Sequence, residues 1–181
     1  VENGHLVYGH KPVHWCLDCK SALAEAEVEY KDKESSSADV RFRVVDNDRL
    51  MNTTGLHLDN PNHPIYIPIW TTTLWTLPAN QAVVLGEGLK YLLIATESDQ
   101  EPHYVIVSEG LQQLIRKRWN VAKWSVVDSL NPKDLEGLIL QHPFYQRQVP
   151  ILMGDYVTLE AGTGAVHTAP AHGQDDFLIG Q

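Results

Sequence analysis

The sequence is poor in the residues that several kinds of protein depend on. Only two of its 181 residues are cysteine, Cys16 and Cys19. One pair does not make a disulfide framework. No apolar run approaches the roughly 18 residues of a membrane-spanning helix, so none is expected. The start lacks a basic segment followed by an apolar stretch, so no secretory signal is expected either. Positive charge is also short: 14 Lys and Arg stand against 23 Asp and Glu, a formal net charge of −9 with His neutral. A negative body repels a phosphate backbone at long range. Any RNA contact must therefore be local, or come from another part of a larger protein. A Walker loop, a dinucleotide fingerprint, a GxSxG elbow and an HExxH pair are all missing. No serine sits in a nucleophile turn, so water is the expected nucleophile of any hydrolysis.

What remains is an ordinary soluble composition, 43% apolar and 20% charged. At this length it gives one domain with a real core. Val1 is not a natural start, and Leu178 to Gln181 resemble a helix cut mid-course, so the chain is expected to be a fragment.

Residues 1 to 20 are aromatic and turn-rich. Alternation of Ala24, Ala26, Val28 and Tyr30 with glutamates predicts a strand over about Glu25 to Tyr30. A helix from Ser21 to Glu27 is the alternative. Lys31 to Ala38 is a polar loop. Val40, Phe42 and Val44 alternate with arginines and predict a strand. Asp46 to Pro64 is expected to be loop with brief order. Ile65 to Trp70 is an apolar strand with an edge, bulge or end at Pro68. Further strands are expected at Ala82–Leu85, Lys90–Thr96, His103–Val107, Val121–Val127, Val149–Leu152 and Tyr156–Leu159, with turns at Gly86–Gly88 and Glu97–Pro102. Ser108 is placed to cap a helix over Glu109 to Arg118 with an apolar stripe of Leu111, Leu114 and Ile115. Asn131–Pro132 predicts a helical turn. The expected fold is mainly β: a closed or partly closed β-barrel with small helical insertions. The cluster Arg116, Lys117, Arg118, with Trp119 and Lys123, is the one basic patch, and a solvated helix end accounts for it.

Three segments carry possible chemistry. Trp70-Thr71-Thr72-Thr73-Leu74-Trp75-Thr76-Leu77-Pro78-Ala79-Asn80 puts four hydroxyls in six residues at the end of an apolar strand. Threonines offer donors and acceptors on stiff stems and can line a small polar pocket. A strand end followed by a proline turn explains them too. In Gly162-Thr163-Gly164-Ala165-Val166-His167-Thr168 the small residues allow close backbone approach, and His167 could orient water or donate to an oxyanion. A satisfied core histidine is the plainer account. Asp175 and Asp176 open a helix, where acidic groups suit the free N–H groups. Neighbours on a helix diverge by about 100°, so one of the two must face elsewhere. Cys16-x-x-Cys19 has half the spacing of a zinc site, with structural thiols the simpler reading.

Together these segments resemble the inserted editing domain, connective polypeptide 1, of bacterial isoleucyl-tRNA synthetase, a class I aminoacyl-tRNA synthetase. The resemblance also takes in Lys11 to Cys19 and Ser21 to Tyr30, and is thinnest over roughly 85 to 140. In the leucyl and valyl relatives an arginine is typical where Thr73 stands here. Leu74 replaces a common proline, and Ala171 a common glycine. The resemblance implies a ribbon from the catalytic domain over 1–30 and an editing domain over 31–181. It implies hydrolysis of mischarged Val-tRNA(Ile), within an ATP-using, cytoplasmic isoleucine-tRNA ligase of protein biosynthesis. The isoleucyl enzyme is itself the standard illustration of the reason: one methylene is worth only about 1–3 kcal/mol in a pocket, so a second sieve is needed. Catalytic roles are expected for Thr72, Thr73, His167 and Asp176. Substrate contacts are expected from Trp70, Thr71, Trp75, Asn80 and Ala165, and again from His167 and Asp176. Asp176 would hold the α-ammonium, and His167 would exclude isoleucine. The implied partners are the 3′-terminal adenosine of tRNA(Ile) carrying valine and the remainder of the parent synthetase. No metal, cofactor or membrane is expected. The rival reading is a non-catalytic β-domain that docks a tRNA end or a protein.

Overall fold

The computed structural model describes residues 4–5, 8–98 and 101–181. Two strands stand apart at the start: β1 (His14–Cys16) and β2 (Ser21–Leu23) form an antiparallel hairpin. The strand expected over Glu25 to Tyr30 is instead a 3-10 turn at Glu25–Glu27 followed by irregular chain. The Glu27 carboxylate accepts from Ala24 N–H at 2.7 Å, which closes a local turn. The alternating pattern there has no ladder partner and all but one residue of 24–30 is exposed.

The body is one large mixed sheet of nine strands. They are β3 (Ala38–Val44), β4 (Ile65–Thr71), β5 (Ala82–Gly86), β6 (Tyr91–Ser98), β7 (Glu101–Ser108), β8 (Trp124–Leu130), β9 (Ile139–Gln141), β10 (Gln148–Gly154) and β11 (Ala165–Thr168). Their order is β11-β5-β10-β9-β3-β4-β7-β6-β8. Two neighbour pairs, β5 with β10 and β4 with β7, are parallel. The sheet brings β11 beside β4, but no ladder closes it among the described residues. The described residues therefore form a mainly β protein with a large mixed sheet, and no closed barrel is found among them.

Period-two side-chain alternation explains how this sheet is covered on both faces. Along β6, Tyr91 and Leu93 join the main core, while Leu92 and Ile94 face a second one. Along β7, Tyr104 and Ile106 go to the main core and Val105 and Val107 to the second. The main core continues through Phe42 and Val44 of β3 and Ile65, Ile67 and Ile69 of β4. The second is sealed by Leu111 and Ile115 with Trp119 and Trp124 against it. Each such side chain contributes about 1.5–3 kcal/mol when fully buried.

Among the described residues three α-helices decorate the sheet. α1 (Asn47–Thr54) replaces much of the expected loop after Asp46. Its signals were in the sequence: Asp46 accepts from Arg49 N–H at 2.8 Å, and Gly55 ends it at φ 73°. α2 (Gln112–Trp119) follows a 3-10 turn at Glu109–Leu111, and the Ser108 side chain makes no cap. Instead Ser108 N–H donates to Thr163 O. α3 (Gln174–Ile179) lies near the end of the chain. The strand expected at Val121–Val127 is β8, three residues later, and Tyr156–Leu159 forms no ladder. The turn at Asn131–Pro132 is present, with Asn131 accepting from Lys133 N–H. Pro68 sits where β4 is laddered to β3 but no longer to β7, whose pairing ends at Tyr66. Of the basic patch, Arg116, Lys117, Arg118 and Lys123 are all exposed; Arg118 also holds Asp39 through two hydrogen bonds and Lys123 pairs with Glu97.

Candidate functional site

β4 ends at Thr71, and the chain turns at once into a 3-10 helix, Leu74–Ala79. The turn is made by hydroxyls. Thr71 Oγ1 accepts from Thr73 N–H at 3.0 Å and lies 3.2 Å from Thr73 Oγ1. Thr76 Oγ1–H donates to Thr73 O at 2.9 Å. A separate loop clamps the far end of this 3-10 helix. His142 Nε2–H donates to Leu77 O at 3.0 Å, and Arg147 donates to Pro78 O and Asn80 O at 3.1 and 2.7 Å. Ring contacts between His142, Phe144 and Tyr145 hold that loop in shape.

β11 is fixed beside β4 by the Gly162–Gly164 segment. Thr163 Oγ1–H donates to Pro68 O at 2.6 Å, and the buried Tyr91 hydroxyl donates to Gly164 O at 2.5 Å. Gly164 has φ 84°, and a Cβ there would lie 2.3 Å from Ser108 Cβ. Only glycine fits both conditions. The close approach expected from this dense run of small residues is thus to the protein's own Ser108.

Between these elements lies an open cleft of about 410 Å³. Trp70, Thr71, Thr73, Trp75 and Thr76 line it together with Val166, His167, His172 and Asp176. The cleft thus joins five residues of the first motif, two of the second and two of the third, up to 106 positions apart along the chain (176 minus 70).

Each expected residue has a definite place. Trp75 is 73% exposed and open to a planar ligand. Asp176 is half-buried, and its Oδ2 accepts from Ala169 N–H at 3.1 Å, leaving Oδ1 for a ligand. Burial raises its carboxyl above the usual value, and the neighbouring Asp175 charge adds to that. The two aspartates diverge as helix geometry requires: Asp175 lines a different groove with Tyr156 and Leu178. His167 contacts Thr76 Oγ1 through Nε2 at 2.8 Å and Asn80 Nδ2 through Nδ1 at 2.9 Å. Burial pushes its pKa down to about 4, helped by His142 and His172. Three residues do not line the cleft. Thr72 is half-buried in the bend between Thr71 and Thr73. Asn80 is fully buried behind His167. Ala165 belongs to the main core, two residues deeper along the same strand face as His167. Three cleft residues carried no expected role: Thr76, one helical turn after Thr73, and Val166 and His172. The clamp of His142 and Arg147 was not legible at all, because it acts across more than 60 positions.

Cys16 and Cys19 are free thiols in the hairpin, with Cys19 N–H donating to Cys16 Sγ. Among the described residues no cluster of three or more His, Cys, Asp or Glu could hold a metal.

The mainly β fold of this chain is shared with solved editing domains. The structure matches the editing domain of P. knowlesi cytosolic leucyl-tRNA synthetase with a TM-score of 0.65 at 14% identity, over 78% of this chain and 59% of that one. The P. falciparum counterpart gives 0.62 at 11%, over 78% and 63%. The family model described as leucyl-tRNA synthetase, editing domain, matches residues 87–180.

The chain belongs to this family of aminoacyl-tRNA synthetase editing domains. It is 51% identical to the isoleucine--tRNA ligase of Nitrosococcus oceani over 99% of its length, and to that of Francisella tularensis subsp. tularensis over 100%. It spans 19% of the length of each of these two relatives.

Proposed function

We propose that the chain is the editing hydrolase of an isoleucine-tRNA ligase, clearing valine from Val-tRNA(Ile). The observation that supports this reading is the convergence of Thr71, Thr73, Trp75, His167 and Asp176 on one cleft. The terminal adenosine carrying valine enters between Trp70 and Trp75. Its α-ammonium meets Asp176 Oδ1, a charge-assisted contact that ties the site to aminoacyl esters. The valine side chain lies against His167 and Val166, and one further methylene crowds the ring. Overpacking of a tight site costs about 1–3 kcal/mol, enough for selection against isoleucine. Thr71 and Thr73 hold the attacking water or the ester oxygen, and Thr72 makes the bend that presents them. Water adds to the ester carbonyl and the ribose oxygen leaves, giving valine and free tRNA. The remainder of the parent synthetase holds the tRNA body, which suits the net charge of −9 on this chain.

The test is deacylation of Val-tRNA(Ile) and Ile-tRNA(Ile), by the wild type and by Asp176→Asn. Selective turnover of the valyl ester that fails in Asp176→Asn, at equal folded fraction, supports the reading. Binding of the aminoacyl end without turnover by the wild type refutes it and leaves a docking domain.

A further inference from the structure

His167 is the one imidazole of the cleft wall with both ring nitrogens engaged by side chains, and those bonds have a readable direction. The amide orientation of Asn80 is set by two backbone carbonyls: Nδ2 lies 2.8 Å from Ala82 O and 3.4 Å from Thr168 O. Carbonyl oxygens only accept. The reverse orientation would aim Oδ1 at both of them. The observed one leaves Oδ1 buried without a protein partner among the described residues, while the two Nδ2 hydrogens serve Ala82 O and His167 Nδ1, with Thr168 O a longer third contact. Asn80 therefore donates to His167 Nδ1, which must carry a lone pair. In a neutral ring the proton is then on Nε2. Nε2–H donates to Thr76 Oγ1, and the Thr76 hydroxyl passes its own proton to Thr73 O. Each hydrogen bond in this line runs in one direction only.

We infer that Asn80 and Thr76 are positioning residues that hold His167 as the neutral Nε2–H tautomer, so that its ring acts as a fixed wall and not as a proton carrier. The inference rests on the editing reading for its functional meaning, but its physical content does not depend on turnover. A second proton on the ring would face the Asn80 amide hydrogens. The groups facing His167 add to this: His142 comes from the loop before β10 and His172 from the turn before α3. Asp176 of α3 lines the same cleft and is the only carboxylate among its lining residues. Arg147 holds the Asn80 carbonyl from outside, so the relay has a firm start. With both nitrogens in use, proton transfer to the leaving ribose oxygen falls to water or the substrate itself.

The experiment is nitrogen NMR of the 181-residue chain labelled in its histidine rings, with His167 assigned from the signals lost in His167→Gln. The expected spectrum shows Nδ1 as the bare nitrogen and Nε2 as the protonated one, unchanged from pH 8 to pH 6. Thr76→Val, which keeps the shape and removes the acceptor, is expected to keep the tautomer but shift the Nε2–H signal, and to lower the preference for valyl over isoleucyl ester roughly five- to tenfold, the scale of one hydrogen bond. Thr76→Ser is expected to restore both. Nδ1–H in the wild type, or titration near the ordinary histidine value, overturns the proposal. So does a Thr76→Val chain with an unchanged Nε2–H signal and unchanged ester preference. If the ring signals follow expectation but no valyl ester is cleaved, the tautomer lock stands and the editing reading fails.

Discussion

Two ends of the same sheet are stabilised in opposite ways. Where β6, β7 and α2 meet, apolar side chains fill both faces and the polar groups are mostly ladder groups. Where β4 and β11 meet, the chain is held by side-chain hydrogen bonds from Thr71, Thr76, Asn80, Arg147, Thr163 and Asp176. Packing tolerates substitutions that keep volume and patterning. A hydrogen-bonded network does not, because each lost partner leaves a buried polar group unpaired. The first end therefore gives stability, and the second gives a shape that must not vary.

That contrast can be broken in graded steps. Ile94→Ala or Ile115→Ala, in the apolar end, is expected to cost about 2–5 kcal/mol of unfolding free energy. The folded fraction should keep its preference for valyl over isoleucyl ester, as denaturant titration and deacylation together would show. Asp176→Ala acts the other way. Loss of a charged hydrogen bond worth about 1.5–3 kcal/mol is expected to lower kcat/KM roughly 10- to 100-fold. Stability should fall by only about 1 kcal/mol, since Ala169 N–H loses its partner but burial already disfavours the ionised carboxylate in the folded state. His167→Ala is expected to raise the turnover of Ile-tRNA(Ile) relative to Val-tRNA(Ile) through the space it opens. Arg147→Met removes two carbonyl contacts and is expected to cost about 1–2 kcal/mol while slowing deacylation, although Arg147 does not line the cleft.

A last effect, spread over the acid range, is one of pH. The His167 pKa is pushed down to about 4 in the folded chain. The unfolded chain takes up a proton near the ordinary value of about 6.5. Between those limits the unfolded state binds more protons, so stability falls as pH drops through the window and rises as pH is restored. His167→Gln should flatten this slope in melts recorded across the same range.

The same contrast explains what could be read in the sequence. The strands at β3, β4, β5, β6 and β7 were legible because apolar side chains there recur at period two or in short β-branched runs. α1 was not, since Asp46 and Gly55 are weak signals beside the surrounding Asn, Asp and Pro. The Glu25–Tyr30 alternation misled because a period-two pattern says nothing about whether a partner strand exists. The cleft was legible as three motifs, and Thr71, Thr73, Trp75, His167 and Asp176 do meet there. That Ala165 is core and Asn80 lies behind the wall depends on depth along a strand, which spacing does not encode.

The most direct test is a structure of the chain with a non-hydrolysable valyl-adenosine analogue. The account expects the amine within hydrogen-bond distance of Asp176 Oδ1, the isopropyl group against the His167 ring and the adenine between Trp70 and Trp75. An analogue bound elsewhere, or bound here with its amine away from Asp176, would contradict it.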